Sequence, residues 1–327
     1  MNRKNISKAD QRHLRPSDNL KQSRKAKVSK GNVLEPQDPK PEDPKPEDTK
    51  PQDPKPQDTK PQDTKPEDTL EESIFLKQSA IPKLVFVVPY RDRENQITFF
   101  QRHMKYILED YHESEYKIIV CHQNDTRSFN CGAMKNIGFM IAKKLYPEHY
   151  RNITFVFNDV DTLPFVKNKL HYETTSRNIK HFYGFKHTLG GIVSIRGADF
   201  ETLNGFPNFW AWGYEDNLLY DRALQFKMRV DRDHFYEYAD KDIMHFQDGY
   251  VKKVNKSEFE RYAKGTLEGI DSIYRLSYHY EPKTGFYDIN YFVTTNPENI
   301  QKRTTHDLHN GTAPFRPTRR VAMSMRL

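Results

Sequence analysis

Four short segments of this chain hold residue types at spacings that can do chemistry. Asp159-Val160-Asp161 places two carboxylates at i and i+2 directly after an apolar run. Such a pair at a strand end can face a divalent cation and a polar ligand together. Hard cations such as Mg²⁺ or Mn²⁺ take oxygen donors and keep positions for phosphate oxygens. The plain alternative is a turn or a helix N-cap. Pro89-Tyr90-Arg91-Asp92-Arg93 sets two arginines two positions apart. That spacing suits an anionic partner such as a diphosphate or a uracil carbonyl, though a solvated turn with surface ion pairs accounts for it equally.

The third segment, Asn204 to Asn217 (NGFPNFWAWGYEDN), contains both tryptophans of the chain, Trp210 and Trp212, beside Gly213 and the acidic pair Glu215 and Asp216. Aromatic faces pack on sugar C–H surfaces, glycine allows close backbone approach, and a carboxylate can take a proton from a sugar hydroxyl. The two acids could also stabilise a helix N-terminus through its dipole. The fourth segment, DIMHFQ from Asp242 to Gln247, contains His245. That histidine could complete a cation site begun by Asp161 or could be a packed polar residue.

These segments need elements to position them. Leu84 to Val88 (LVFVV) is a continuous apolar run ended by Pro89, the pattern of a buried parallel strand. Ile97, Phe100, Met104, Ile107 and Leu108 fall at helical spacing within 95–112. A second strand is predicted over Tyr116 to Cys121, a second helix over Ala133 to Leu145 and a third strand over Ile153 to Phe157. Later come a strand at Gly191 to Ile195, a helix from Glu215 to Phe226 and a short strand at Ile243 to Phe246. Alternating strands and helices imply an α/β fold, a mostly parallel sheet with helices on both faces. Ligands bind such sheets at the carboxyl ends of the strands, where Pro89–Arg93, His122–Asn130 and Asn158–Asp161 fall.

The remaining sequence is of another kind. Residues 1–33 are basic and polar, with ten Lys/Arg against two Asp/Glu. From Asp38 a unit repeats as DPKPE, DPKPE, DTKPQ, DPKPQ, DTKPQ, DTKPE. Proline in each unit fixes φ and removes a donor, and nothing apolar offsets ordering entropy. We expect a disordered basic tail over 1–33, a disordered repeat linker over 34–72 and a folded domain over 73–327, loosely ordered from about 300. The net charge of +7 owes much to the first segment, so no specific nucleic-acid partner is expected. Cys121 and Cys131 are too few for a disulfide framework, and reduced thiols are the expectation. No signal peptide and no apolar run long enough for a membrane span is visible, so a cytoplasmic location is expected, with a Golgi one only if a partner supplies an anchor. The chain has no GxxxxGK[ST] loop, no GxGxxG after a strand, no paired CxxC and no GxSxG elbow.

In order and in combination, the chemical segments resemble the β-1,4-galactosyltransferase family. VVPYRDR is similar to its P-F-R-x-R donor motif, FNCGAMKNIGF to its F-N-R-x-x-x-x-N-x-G-F segment and FNDVD to its D-V-D motif. GG at 190–191, NGFPN at 204–208 and WAWGYED at 210–216 follow in family order. The resemblance spans about residues 80–295. It implies a GT-A fold, a Mn²⁺ ion, a UDP-galactose or UDP-GalNAc donor, a glycan or monosaccharide acceptor and an inverting transfer. By position it implies that Pro89, Arg91, Arg93, Phe129, Asn130, Asp159, Val160, Trp212 and Gly213 hold the donor. Asp161 and His245 would bind metal, with Asp242 or Gln247 as the further ligand. Asp216 would be the base, with Glu215 beside it. Trp212, Glu215, Asp216 and Asn217 would hold the acceptor, and Phe246 to Lys253 would form a mobile lid.

Four departures stand out. Asn217 replaces the third acid of E-D-D, Cys131 replaces the arginine after F-N, and Ala211 replaces the first small residue of W-G-W-G. Thr188 stands two before Gly190, where a bulkier residue helps choose galactose over GalNAc. The departures at Asn217 and Cys131 leave room for a second reading, a non-catalytic carbohydrate- or nucleotide-binding protein that keeps the fold.

Overall fold

The computed structural model describes residues 80–246, 249–263, 265–310 and 314–315. The tail and repeat expected over 1–72, and Gln247, lie outside the described residues.

Strand β1 (Leu84–Tyr90) is buried along its whole length. Its alternating side chains feed two cores. Val85 and Val87 pack on one face of the sheet, and Leu84, Phe86, Val88 and Tyr90 on the other. This two-sided burial explains why its sequence is a continuous apolar run rather than an alternating one. Strands β2 (Tyr116–Gln123) and β3 (Thr154–Asn158) flank β1, both parallel to it. Helix α1 (Glu94–Ile107) packs Ile97, Phe100, Met104 and Ile107 onto the second core. It stops at Ile107, five residues short of the predicted end; Leu108 is its C-cap, and Tyr111 N–H closes the following turn on Leu108 O.

Helix α2 (Cys131–Leu145) packs against β1 and β2 from the first core. Gly138 permits the contact, because a Cβ there would lie 2.4 Å from Val87 Cγ1 and 3.0 Å from Cys121 Sγ. Asn130 caps the helix by accepting the Ala133 N–H. Both cysteines are free thiols, as expected.

The sheet continues through β6 (Ile192–Arg196), antiparallel to β3, and β5 (Asn178–Gly184), antiparallel to β6. Strands β7 (Arg229–Asp231) and β8 (Tyr236–Glu237) pair with β5 at this edge. At the other edge a hairpin of β11 (Ile273–Glu281) and β12 (Phe286–Thr294) attaches to β2, with β12 parallel to it. The order is β11-β12-β2-β1-β3-β6-β5-β7, mixed but mostly parallel, with helices on both faces.

Two short ladders sit over the carboxyl end. One joins β4 (Thr162–Pro164) to β9 (Ile243–His245). The other joins β10 (Val251–Asn255) to β13 (Arg303–Asp307). The second ladder corrects two expectations. Residues 303–307 form a strand rather than a loose tail, because β10 supplies their hydrogen-bond partners. The supposed lid loop ends before Val251, since 251–253 belong to β10. Helices α3 (Gly197–Thr202), α4 (Glu215–Gln225) and α5 (Lys256–Tyr262) complete the α-helices among the described residues. No described helix is long and apolar enough to cross a membrane.

Candidate active site

A cavity of about 580 Å³ opens at the carboxyl ends of β1, β2 and β3. Pro89, Arg91, Arg93, Phe129, Asp159, Val160, Asp161, Thr188, Trp212, Glu215, Asp216 and His245 all line it. Its size suits a small polar ligand.

Each wall has an identifiable local cause. Leaving β1, Arg91 donates to the backbone oxygens of Arg127 and, at 2.6 Å, Asp125, so it ties the loop after β2 to the end of β1. Arg93 instead reaches Asp161, with Nη1 2.9 Å from Oδ2. After β3 the chain turns sharply: Thr162 N–H donates to Asp159 O, and Asn158 Nδ2 donates to the oxygens of Asp159 and Thr162. The turn sends both aspartates of D-V-D into the cavity. Across the β4–β9 ladder Thr162 pairs with His245, and Phe246 N–H donates to Asp161 O at 2.8 Å. Asp161 and His245 are thereby neighbours. His245 Nδ1 is engaged by the Tyr183 hydroxyl at 2.9 Å, leaving Nε2 as the ring nitrogen able to act as a ligand.

The opposite wall is the loop before α4. Ala211, Gly213 and Tyr214 have φ of 74°, 101° and 80°. Two of the three are not glycine, a local strain of the kind held at functional sites. The loop is fastened by Ala211 N–H to Phe129 O and Trp212 N–H to Lys253 O. It separates the two tryptophans. Trp210 is fully buried, stacked 5.5 Å from Phe292 with Nε1 donating to Thr294 Oγ1 and Asn296 O. Trp212 is 39% exposed and faces the cavity.

Behind this loop Glu215 and Asp216 open α4. Burial pushes both carboxyls above their ordinary range. Their mutual charge raises Glu215 further and the charge of Asp159 raises Asp216, while Lys135 opposes both shifts. Glu215 Oε2 is buried and has no hydrogen-bond partner among the described residues. The position of Asp216 depends on Gly190: a Cβ at 190 would lie 2.1 Å from Asp216 Oδ2.

The chain matches the N-terminal region of glycosyl transferase group 7 over residues 76–174 and the N-terminal domain of galactosyltransferase over 170–247. It belongs to glycosyl transferase group 7. Among curated relatives it is 32% identical over 165 residues to a xylosylprotein 4-β-galactosyltransferase of Caenorhabditis elegans, an alignment covering 47% of this chain and 55% of the relative. It is 28% identical over 207 residues to human β-1,4-galactosyltransferase 6, covering 60% and 52%. The chain thus spans about half the length of the curated relatives it matches. The catalytic domain of Drosophila β-1,4-galactosyltransferase 7, solved with xylobiose, superposes with a TM-score of 0.53 at 23% identity, covering 68% of this chain and 98% of that one. That likeness shows the shared GT-A-like fold.

Four residues that the group 7 resemblance placed at the site lie elsewhere. Asp242 lies in the turn before β9, does not line the cavity, and pairs with Lys169 at 2.8 Å. Asn130 is fully buried as the α2 cap, with Nδ2 donating to Asn208 O. Asn217 does not line the cavity and reaches toward His187 O at 3.4 Å. Gly213 is not part of the cavity wall; the Cβ it lacks would point toward Phe315.

The sequence reading also passed over groups that the structure places at this group 7 site. Lys135 is 1% exposed, with Nζ 3.2 Å from both Asp159 Oδ1 and Asp216 Oδ1. The Asp159 contact is an ion pair without hydrogen-bond alignment. Its sequence signal was a single charge within 132–139, a stretch of α2 that is buried throughout, a place where a charge must find an internal partner. Arg127, within 4.7 Å of the Trp210 ring and 4.3 Å of the Phe292 ring, lines the same cavity, as do Tyr183 and Arg303. These have no distinctive local spacing and become visible only through the fold.

Proposed function

We propose that this chain transfers galactose from UDP-galactose to a sugar hydroxyl with inversion at the anomeric carbon. The observation that carries this reading is the convergence of Asp159, Asp161, Trp212 and Asp216, from distant parts of the sequence, on one cavity. In the proposal Pro89, Phe129 and Val160 enclose the nucleotide, and Arg93 faces the diphosphate. Arg91 acts by holding the loop that carries Arg127. Trp212 offers an aromatic face to the acceptor sugar. Asp216 takes the acceptor hydroxyl proton on the side opposite the leaving group, as inversion requires. Its raised proton affinity suits that task better than an ordinary aspartate would.

Family membership implies a divalent cation, and the residues fit one. Asp161, just before β4, contributes an oxygen donor and His245, on β9, a nitrogen, and the Phe246 N–H bond to Asp161 O keeps the two segments adjacent. Among the described residues no group of three His, Cys, Asp or Glu side chains converges. Two protein donors completed by diphosphate oxygens match the habit of such ions at phosphates. Bound there, Mn²⁺ would offset the charge gathering on the departing UDP.

Donor choice turns on Thr188. It lines the cavity with its hydroxyl turned to Phe185 O at 3.1 Å, beside the stacked rings of Phe185 and Tyr238. Its small side chain leaves space for an N-acetyl group, so UDP-GalNAc is a second donor in this proposal. The C. elegans relative is named for a xylosylprotein, and a Drosophila structure holds manganese, UDP-Gal and xylobiose. Xylosides therefore head the acceptor panel, followed by GlcNAc and glucose. The test is acceptor-stimulated UDP release with Mn²⁺ across UDP-Gal, UDP-GalNAc, UDP-Glc and UDP-GlcNAc. Stimulated release from UDP-Gal supports the reading. Release from none of the donors, with no Mn²⁺-dependent UDP binding, removes it.

A further inference from the structure

The structure assigns Lys135 as a positioning residue that holds the nucleotide-side carboxylate Asp159 and the proposed base Asp216 in one fixed geometry. It thereby replaces, from one helical turn further on, the cation missing at Cys131.

The argument begins with burial. Lys135 is 1% exposed and lies in the most enclosed part of α2. An unpaired ammonium in such a place is strongly disfavoured, so its partners explain its presence. Those partners are the cavity carboxylates: Nζ is 3.2 Å from Asp159 Oδ1 and 3.2 Å from Asp216 Oδ1, and 4.7 Å over the Phe206 ring. Burial alone would pull the lysine below its ordinary range. The charges of Asp159 and Asp216 outweigh it, with smaller help from Cys131 and Glu215, and hold the group well above that range. It stays an ammonium and bridges two acids that would otherwise repel each other.

The second observation is Cys131. The motif that this segment resembles carries arginine there. Residues 131 and 135 are four apart on α2 and share a face. Helical side chains lean back toward the N-terminus, so the Lys135 ammonium sits over the turn that Cys131 begins. Cys131 lines the cavity, and its thiol lies in the field of the same groups, Lys135, Glu215, Asp159 and Asp216. Positions 131 and 135 therefore face the same group of carboxylates, and a cation at either would meet them. One from 131 arrives from the cavity side, and one from 135 arrives from within the core.

The role at Asp216 rests on the transfer reading, whereas the role at Asp159 needs only nucleotide binding. The experiment therefore reads both in the full chain: UDP affinity with Mn²⁺ by calorimetry, and kcat and KM for acceptor-stimulated release. Lys135→Met should weaken UDP binding about tenfold and lower kcat about 10²-fold, with acceptor KM little changed. Cys131→Arg combined with Lys135→Met should recover about tenfold or more of the lost kcat, which a purely structural lysine would not predict. K135M with both UDP affinity and turnover within twofold of the parent chain overturns the assignment. If the parent chain binds UDP but turns over no donor, the transfer reading fails, and the UDP arm alone decides Lys135. If K135M does not fold, the double variant decides: recovered turnover supports the assignment, and a folded but inactive protein contradicts it. A parent chain that neither binds UDP nor transfers sugar overturns both.

Discussion

The carboxylate of Asp216 occupies the space that a side chain at residue 190 would need: a Cβ on Gly190 would fall 2.1 Å from Oδ2 and 2.6 Å from Cγ. Gly190 is not among the positive-φ residues, so its backbone does not require glycine. The constraint is steric and bears on the Asp216 side chain. Gly190→Ala should displace the proposed base and part it from the buried Lys135, so Tm should fall as well. In the folded protein turnover should fall about 10²-fold. Unchanged turnover would mean that Asp216 does not act from its observed position.

His181 supports the same region from below. It is 1% exposed, and Nε2 faces the oxygens of Tyr183 at 3.0 Å and Gly190 at 3.1 Å, so that nitrogen carries the proton. Nδ1 accepts from Arg232 Nε at 3.1 Å. A second proton would be buried against a guanidinium, and burial together with Arg232 lowers the group from 6.5 to about 4. The unfolded chain therefore binds the extra proton first as pH falls. Stability should be complete above about pH 6.5 and decline toward pH 4, by ~3 kcal/mol in full and about 2 kcal/mol by pH 5. Urea denaturation at pH 7.5 and 5 should show this loss in the parent chain, and a smaller one in His181→Gln. Equal losses in the two proteins would refute the assignment.

The two tryptophans should separate cleanly on substitution. Trp210→Ala removes a fully buried indole and two Nε1 hydrogen bonds, at a cost of about 3–5 kcal/mol. Trp212→Ala removes an exposed ring and should change stability by less than about 1 kcal/mol while raising acceptor KM. Chemical denaturation and steady-state kinetics on the two variants test the division. The opposite pattern would exchange their roles.

Much of this arrangement was legible in the sequence where local pattern and tertiary role coincide. The apolar run of β1 and the helical spacing of α1 and α2 marked the centre of the sheet, and strand ends located Arg93, Asp159 and Asp161. Position by motif was less reliable where the chain leaves regular structure. Asp242 follows the family spacing yet sits in the turn before β9, where Lys169 holds its carboxylate. The β11–β12 hairpin went unread because its tyrosine-rich strands alternate only partly, although Gly285 (φ 76°) marked its turn. Lys135 belongs to neither class. Its importance comes from the side chains it meets across the fold, which no spacing along the chain records, and the GG motif marked Gly190 without showing that it makes room for Asp216.

Asp216 is the proposed acceptor of the hydroxyl proton in galactosyl transfer. Comparing the parent chain with Asp216→Asn in acceptor-stimulated UDP release from UDP-galactose with Mn²⁺, alongside UDP affinity, tests that role. Turnover should fall about 10²–10⁴-fold with UDP binding retained. Turnover of Asp216→Asn equal to that of the parent chain would contradict it.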